Sequence, residues 1–172
     1  MALKLHVGEG VMRTILNRLV AAGLAVTSSA GCSLSFNGLQ VWSDLEDVFP
    51  KRTEFLYTDI TPSKFNYGFL VRRSGDKVRS GMEQRDVAIV ERAIRALIIV
   101  FQGEHLHINS VSDDITRVFP DVAHHILKTF NPQENDVIIV AGGDTALKAT
   151  RGAFAASWSL LAMKWINIKE EI

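Results

Sequence analysis

Residues 136–165 read DVIIVAGGDTALKATRGAFAASWSLLAMKW, and this stretch decides the fold. The run Asp136–Ala141 is short, apolar and rich in β-branched residues, which predicts a buried strand. The four residues that follow it predict a tight turn because two of them are glycines. From Ala146 to about Trp165 the spacing predicts a helix, with one stripe that holds Leu147, Phe154, Trp158, Leu161 and Trp165. The chain is therefore expected to close with a strand, a turn and a helix.

A second helical pattern lies upstream of this unit. From Met82 onward, apolar residues recur at helical spacing through Phe101, and Glu91 and Arg95 form a supportive i,i+4 pair. This pattern predicts one helix that ends at Gln102-Gly103. His105–Val111 then predicts a short strand. Ser112 offers an N-cap for a further helix, which Pro120 interrupts and restarts as a first-turn proline.

The first half of the chain is expected to be rich in β-structure after one initial helix. That helix spans Gly8 to Gly23, with the glycine at the position of a C-cap. Asn37-Gly38 predicts a hairpin between two short strands, and Thr53–Tyr57 and Phe65–Arg72 predict two more. We therefore predict a single α+β domain over residues 1–172. It has a β-rich N-terminal half of hairpins or antiparallel sheet, three to four helices packed on it and the C-terminal strand–turn–helix.

Composition sets limits on the class of protein. Of 172 residues, 47% are hydrophobic and 22% are charged, which excludes wholesale disorder. Lys+Arg and Asp+Glu are both 19, so the global charge gives no support for a nucleic-acid or membrane partner. The single cysteine, Cys32, fits a reducing compartment. We expect a cytoplasmic protein, or an intracellular one that later joins an assembly.

The loop Gly142–Thr145 is the main candidate for ligand binding. A glycine pair before a helix lets the backbone approach a ligand closely, and the free N–H groups of the first turn attract anions. The candidate ligand-binding residues are Gly142, Gly143, Asp144, Thr145, Lys148 and Arg151. The competing interpretation is a tight strand-to-helix connection in which Asp144 caps the helix. Both interpretations stay open from the sequence.

This loop resembles the nucleotide-contacting turn of several sugar and lipid kinases. Diacylglycerol and NAD kinases carry Gly-Gly-Asp-Gly-Thr, whose third glycine is absent here. The Gly-Gly-Asp-Thr-Ala string of four-carbon acid sugar kinases is similar to Gly142–Ala146. The resemblance covers roughly ten residues, as short motifs do, and implies contact with a nucleotide phosphate.

Histidines are the other chemically notable residues. His105 and His107 alternate on the predicted strand, so they share a face and are candidate metal ligands. No His-x-x-x-His or His-Glu-x-x-His spacing is present, and one cysteine excludes a thiolate-rich site. We therefore expect no metal and no cofactor. A metal-dependent hydrolase built on the histidines is kept as a third hypothesis.

Three surface features are candidate contact regions. Thr14–Ser33 resembles the recognition helix and wing of a winged helix, which implies DNA reading, although a nucleic-acid partner is not favoured by charge. Arg72, Arg73 and Arg79 belong to a basic hairpin suited to phosphate or an acidic surface. Large aromatics at helical spacing are usually core residues, but Trp158 and Trp165 are candidates for anchoring a subunit contact.

Function is predicted by what the motifs lack as well as by what they contain. No complete catalytic set is visible in the spacing, so we assign no catalytic residue and expect a protein that is not an enzyme. The first hypothesis is a non-catalytic, soluble subunit that acts through protein contacts, in a homo-oligomer or a virion-like assembly. The alternative is a domain that binds a nucleotide or a small phosphorylated ligand through the Gly142–Thr145 loop.

Overall fold

The computed structural model describes residues 8–108 and 114–168, with side chains given up to residue 161. The contacts divide the chain into two compact units, of which the first ends at Asp47 and the second begins at Val48. The overall class is α+β with antiparallel sheets, as expected. The prediction that residues 1–172 form one domain stays a prediction.

The first unit consists of a helix, a β-hairpin and a second helix. Helix α1 (Glu9–Ala21) confirms the predicted initial helix and is followed by Gly23 in the left-handed region, at φ +70°. Strands β1 (Ala25–Ser28) and β2 (Gly31–Leu34) pair antiparallel. Helix α2 (Phe36–Val48) follows directly.

The hairpin predicted at Asn37-Gly38 is wrong, because both residues lie in the first turn of α2. The Ser35 hydroxyl accepts a 3.0 Å hydrogen bond from the Gly38 N–H, which is an N-cap. A Cβ at Gly38 would lie 1.9 Å from the carbonyl oxygen of Leu24. The glycine therefore serves close packing, and the hairpin turn occurs earlier, before Gly31.

The second unit is built on one five-stranded sheet. Its order is β3-β4-β7-β5-β6, and every neighbouring pair is antiparallel. The strands are β3 (Lys51–Phe55), β4 (Phe65–Val71), β5 (Arg95–Gln102), β6 (His105–His107) and β7 (Asp136–Gly143). The predicted buried strand is confirmed, since all eight residues of the central strand β7 are buried.

The helix predicted from Met82 through Phe101 is wrong in its second half. Helix α3 spans only Met82–Val90, and Arg92 then takes a φ of +68° that breaks the helix. Strand β5 pairs with β7 from Arg95 onward, so the i,i+4 pair with Glu91 does not form. Both faces of β5 are covered, which hides the two-residue period of a strand from the sequence.

Three more helices complete the second unit. Helix α4 (Ile115–Val118) is capped by Asp114, whose Oδ1 accepts from the Thr116 N–H at 2.9 Å. Helix α5 (Pro120–Phe130) confirms the predicted first-turn proline. The cap predicted at Ser112 lies outside the described residues. Helix α6 (Ala146–Ile168) confirms the predicted C-terminal helix.

Helices cover both faces of the sheet. On one face Leu70, Ile99 and Ile138 pack with Ile126 and Phe130 of α5. On the other face α6 lies against the sheet and against α3, close enough that a Cβ at Gly152 would be 2.6 Å from Ala93 Cβ and 3.5 Å from Ala141 Cβ. None of the described helices has the length and apolar character that crossing a bilayer requires.

Helix α6 turns a row of alanines and Leu160 inward and its large aromatic residues outward. Ala149, Ala153 and Ala156 are buried, whereas 41–45% of Leu147, Phe154 and Trp158 is exposed. Small side chains allow the helix to approach the sheet closely. The aromatic stripe predicted from the sequence is therefore largely a surface feature.

Candidate functional site

The Gly142–Thr145 loop uses its polar groups for local folding. Thr145 Oγ1 accepts a 3.3 Å hydrogen bond from the Lys148 N–H, and the Thr145 carbonyl accepts from the Ala149 N–H at 3.1 Å. The helix cap is thus Thr145 rather than Asp144. A Cβ at Gly143 would lie 2.9 Å from the Ala149 nitrogen, so this glycine allows the tight connection.

Asp144 and Lys148 form an ion pair at the start of α6. Lys148 Nζ lies 2.8 Å from Asp144 Oδ2, and both side chains are partly exposed. The hydrogen bond from Lys148 holds the pKa of the Asp144 carboxyl below its ordinary value. Arg151 is exposed on the same helix. The two predicted cationic residues therefore differ in their availability to a ligand. A ligand would have to displace Asp144 before it could bind Lys148.

A cavity beside Gly142 offers a more complete site. Asn66 of β4, Gly142 of β7 and Arg95 of β5 are direct partners across three neighbouring strands. Residues opposite each other in antiparallel strands project from the same face. The cavity over this row has a volume of about 230 Å³ and is lined by Ile60, Thr61, Asn66, Arg95, Ala96, Leu97, Val140 and Gly142. We call it the Gly142 cavity.

The Asn66 side chain is held in one orientation. Its Nδ2 donates to the carbonyl oxygens of Thr61 at 3.0 Å, Ser63 at 3.1 Å and Leu56 at 3.3 Å. Three acceptors around the NH₂ group decide which end of the amide is oxygen. Oδ1 therefore lies on the side of Gly142, 2.9 Å from where a Cβ of that residue would be. Asn66 is 4% exposed, and Oδ1 has no hydrogen-bond partner in the described part of the chain.

Ser63 contributes a second such group. Its hydroxyl is buried without a hydrogen-bond partner among the described residues, and it lies 2.2 Å from the position of a Gly142 Cβ. Buried polar groups in native proteins nearly always have a partner, so two orphans at one residue require an explanation. Glycine at 142 leaves room for both polar groups above the central strand.

Arg95 provides the only formal charge among the residues that line the cavity. It is the first residue of β5 and its side chain is exposed. Leu97 and Val140 form the next row on the same face and supply apolar walls. The cavity therefore combines one exposed cation, Arg95, with an apolar side, and the unpartnered groups of Asn66 and Ser63 lie buried next to it.

The basic hairpin predicted at Arg72, Arg73 and Arg79 is wrong, because a turn and a short 3₁₀ helix (Gly75–Lys77) follow β4 instead of a return strand. An internal ion pair also occupies the first of these arginines. Arg72 Nη1 donates to Asp136 Oδ2, and Asp136 is fully buried. The same carboxylate accepts from the N–H groups of Arg73 at 3.0 Å and Gln133 at 2.7 Å. Arg73 and Arg79 have exposed side chains. Arg72 thus ties the segment after β4 to β7 and serves folding rather than surface contact.

The histidines lie at the edge of the sheet. The rings of His105 and His107 meet edge to face with centroids 6.3 Å apart, and His105 Nδ1 lies 3.4 Å from Asp114 Oδ2. His107 Nε2 is 2.9 Å from the carbonyl oxygen of Gln102. Within residues 8–108 and 114–168, no three His, Cys, Asp or Glu side chains come together as metal ligands would.

An aromatic cluster underlies the exposed stripe of α6. Trp158 stacks on Phe49 with centroids 6.4 Å apart, and Phe154 is 5.8 Å from Trp158 and 6.0 Å from Phe69. Phe49 and Phe69 are buried, so the rings of Phe154 and Trp158 pack on a buried aromatic layer. The side chain of Trp165 lies outside the described part. We call Leu147, Phe154 and Trp158 the α6 stripe.

Sequence reasoning did not find Asn66, Ser63 or Arg95 as site residues. Asn66 lies in the predicted strand Phe65–Arg72 and Ser63 lies between the two predicted strands, neither carries a motif, and Arg95 is predicted to be helical. The sequence offers one signal for this site, Gly142, but the pattern predicts that Gly142 belongs to the loop that follows the strand. The pairing of three strands, which local patterns do not encode, brings these residues together.

Comparison with known proteins yields a family and a structural neighbour. The family model described as a domain of unknown function (DUF4443) matches residues 62–160. None of the curated proteins matches the chain. Among solved structures, the hypothetical protein PH0730 from Pyrococcus horikoshii OT3 is similar, with 22% sequence identity and a TM-score of 0.69. That similarity covers 92% of this chain and 80% of the other, and it shows a shared fold.

Proposed function

Because the chain belongs to the DUF4443 family, which assigns no activity, the site itself carries the functional argument, and we propose that the second unit binds a small anionic metabolite in the Gly142 cavity. One observation carries this proposal. An exposed cation, Arg95, lines the cavity beside Gly142, and it is the one charged residue among the lining residues. An anion in the cavity would pair with this guanidinium, which has no acidic neighbour among the lining residues. This modifies the predicted alternative, which placed an anion on the loop amides.

The size of the cavity limits the ligand. Pockets for drug-sized ligands have volumes of about 300–1,000 Å³, and this one has about 230 Å³. A compact organic acid or a small phosphorylated compound fits that volume better than a nucleotide does. The guanidinium suits either anion, because its planar fork binds carboxylate and phosphate alike.

Arg95→Gln is expected to weaken anion binding about 10- to 100-fold, since a hydrogen bond to a charged group contributes about 1.5–3 kcal/mol. NMR titration with butyrate, inorganic phosphate and the uncharged amide butyramide measures the effect. The matched control is Arg85→Gln, which removes the same charge from an exposed side chain of α3, on the other side of the sheet. Equal losses in the two variants, or binding of butyramide as tight as that of butyrate, would contradict the proposal.

A second candidate function is self-association through the α6 stripe, which is the protein-contact hypothesis of the sequence. The observation that favours it is the exposure of Leu147, Phe154 and Trp158 above a fixed aromatic cluster. Rigid aromatic side chains are enriched at the centres of interfaces, where they lose little entropy on binding. We propose a protein partner, first of all a second copy, on this surface.

Leu147→Glu is expected to shift an assembled protein toward single chains, because a charge in an apolar interface is buried without a partner. Light scattering would then show the mass fall toward 19.1 kDa. Val118→Glu is the control, since Val118 is 60% exposed and lies on α4, outside the stripe. An unchanged mass in Leu147→Glu, or a single-chain wild type, counts against self-association through this face.

Location and the remaining partners are also proposals. We propose a cytoplasmic protein without a nucleic-acid partner. The stretch Thr14–Ser33, which resembles part of a winged helix, holds one charged residue, Arg18, and the residues around it over 8–47 add Arg13 against Glu9, Asp44, Glu46 and Asp47. Phosphate backbones attract proteins through clustered Lys and Arg, which this unit lacks.

A further inference from the structure

We propose that two copies of the chain associate by pairing their β3 strands antiparallel, so that two five-stranded sheets join into one continuous sheet. This inference rests on self-association, the second candidate function above, and adds the strand that makes the contact and its register. Its basis is the edge position of β3 and the signs of the charges along it.

Strand β3 is an edge that can accept a further strand. It lies at one end of the sheet, and β4 is its only neighbour among the strands that the structure describes. All of Lys51–Phe55 pairs with β4 in continuous register, so neither a bulge nor a proline interrupts the strand. The side chains of Lys51, Arg52 and Glu54 are exposed. The outer N–H and C=O groups of such an edge are a template for another strand, and β6, the opposite edge, offers only three residues.

Two charged side chains of β3 project from the face of the sheet that α6 covers. Arg52 is the direct partner of Phe69 across the β3–β4 ladder. Glu54 is the direct partner of Tyr67, and residues opposite each other project from the same face. The ring of Phe69 packs against Phe154 of α6, with centroids 6.0 Å apart. Arg52 and Glu54 therefore share the α6 face.

The charges of β3 complement one another in one register of self-pairing. When two antiparallel copies place Thr53 opposite Thr53, Arg52 of each copy lies opposite Glu54 of the other. Two-fold symmetry makes this pair of opposite charges occur twice. A shift by two residues, the smallest that keeps the same faces together, would place either Arg52 or Glu54 opposite its own copy. The signs therefore favour the Thr53 register over its neighbours.

The same arrangement places the α6 stripe beside the joined strands. Antiparallel pairing through one edge relates the copies by an axis perpendicular to the sheet, so both α6 helices lie on one face of it. Helix α3 packs along one side of α6. Trp158, in the stripe, stacks on Phe49, which lies two residues before β3. The two stripes thus flank the axis, and their burial adds to a short ladder whose hydrogen bonds contribute little net free energy by themselves.

Mixing two charge-reversed variants tests the pairing. Arg52→Glu and Glu54→Arg each turn both cross-strand attractions into repulsions, so each variant alone is expected to dimerise about 5- to 500-fold more weakly than the wild type. In an equimolar mixture, a dimer that takes one chain from each variant again joins opposite charges at both places. Sedimentation velocity is therefore expected to show dimers in the wild type, single chains in each variant and dimers in the mixture.

Two further variants serve as controls. Arg85→Glu reverses the same charge on the surface of α3 and is expected to leave the dimer unchanged. The double variant Arg52→Glu/Glu54→Arg restores both pairs within one kind of chain and is expected to associate as tightly as the wild type. A role of Arg52 confined to the folding of its own chain would not be restored by mixing.

The outcomes separate this inference from self-association through the α6 stripe. Charge-reversed variants that dimerise as tightly as the wild type, or a mixture and a double variant that stay single chains, would overturn pairing through β3. If Leu147→Glu dissociates the dimer in that case, the α6 stripe remains the contact and this inference alone fails. A wild type that is a single chain would refute both.

Discussion

Asp136→Ala is expected to lower the free energy of unfolding by about 3–5 kcal/mol, the cost of removing one partner from a buried ion pair. Asp136 is fully buried at the start of the central strand β7. Its carboxylate binds the Arg72 guanidinium and accepts from the N–H groups of Arg73 and Gln133. Alanine leaves a half-buried cation and two donors without an acceptor, and each unsatisfied group carries its own desolvation cost.

Urea unfolding followed by circular dichroism measures this loss, and an exposed ion pair provides the control. Asp86 lies 3.0 Å from Arg85 on the surface of α3, with 65% of its side chain exposed. Asp86→Ala is expected to change stability by less than about 1 kcal/mol, because exposed pairs contribute little. If Asp136→Ala costs no more than Asp86→Ala, the carboxylate does not tie the segment after β4 to the sheet.

The same aspartate shows which part of the fold the sequence predicts. The strand that begins at Asp136 is evident from its run of β-branched residues, and the structure confirms it. The partner Arg72 is 64 residues away in the chain, and only the pairing of β4 with β7 brings it near. Local patterns therefore predict the element, whereas its partners depend on sheet order.

The segment after Met82 shows why the type of an element is sometimes misread. Strand β5 lies in a sheet that α3 and α6 cover on one face and α4 and α5 cover on the other. Apolar side chains therefore occupy consecutive positions along the strand. Such a run also matches helical spacing. Arg92, with its positive φ, separates α3 from β5. The sequence does not predict this break, because arginine rarely adopts a positive φ.

The candidate site was only partly predictable for the same reason. Gly142 stands out in the sequence as half of a glycine pair, and the structure gives the two glycines different tasks. Gly143 allows the tight turn into α6, whereas Gly142 leaves space for Ser63 and Asn66 on the opposite face of the sheet. Arg95 and Asn66 join it through register alone.

Gly68→Ala is the second substitution with a large expected effect on stability, a loss of about 3 kcal/mol at the upper end of what overpacking costs. Gly68 lies in β4 beneath α5, and a Cβ there would be 2.4 Å from Cζ of Phe130. The ring has little room to retreat, because Phe130 is 3% exposed and stacks on Phe55 with centroids 5.9 Å apart. Gly10→Ala is the matched control: no atom lies within 4 Å of its Cβ position, and it is helical, so no loss is expected.

Phe130→Leu should partly rescue Gly68→Ala if the clash with the ring is the cause. The smaller side chain frees the space that the new methyl group needs, so the double variant should be more stable than the sum of the two single losses allows. Residues in contact show such interaction energies of about 0.5–3 kcal/mol, whereas independent sites add. Strict additivity in urea unfolding would mean that the loss arises in the β4 backbone, and that the packing of α5 over Gly68 does not require a glycine.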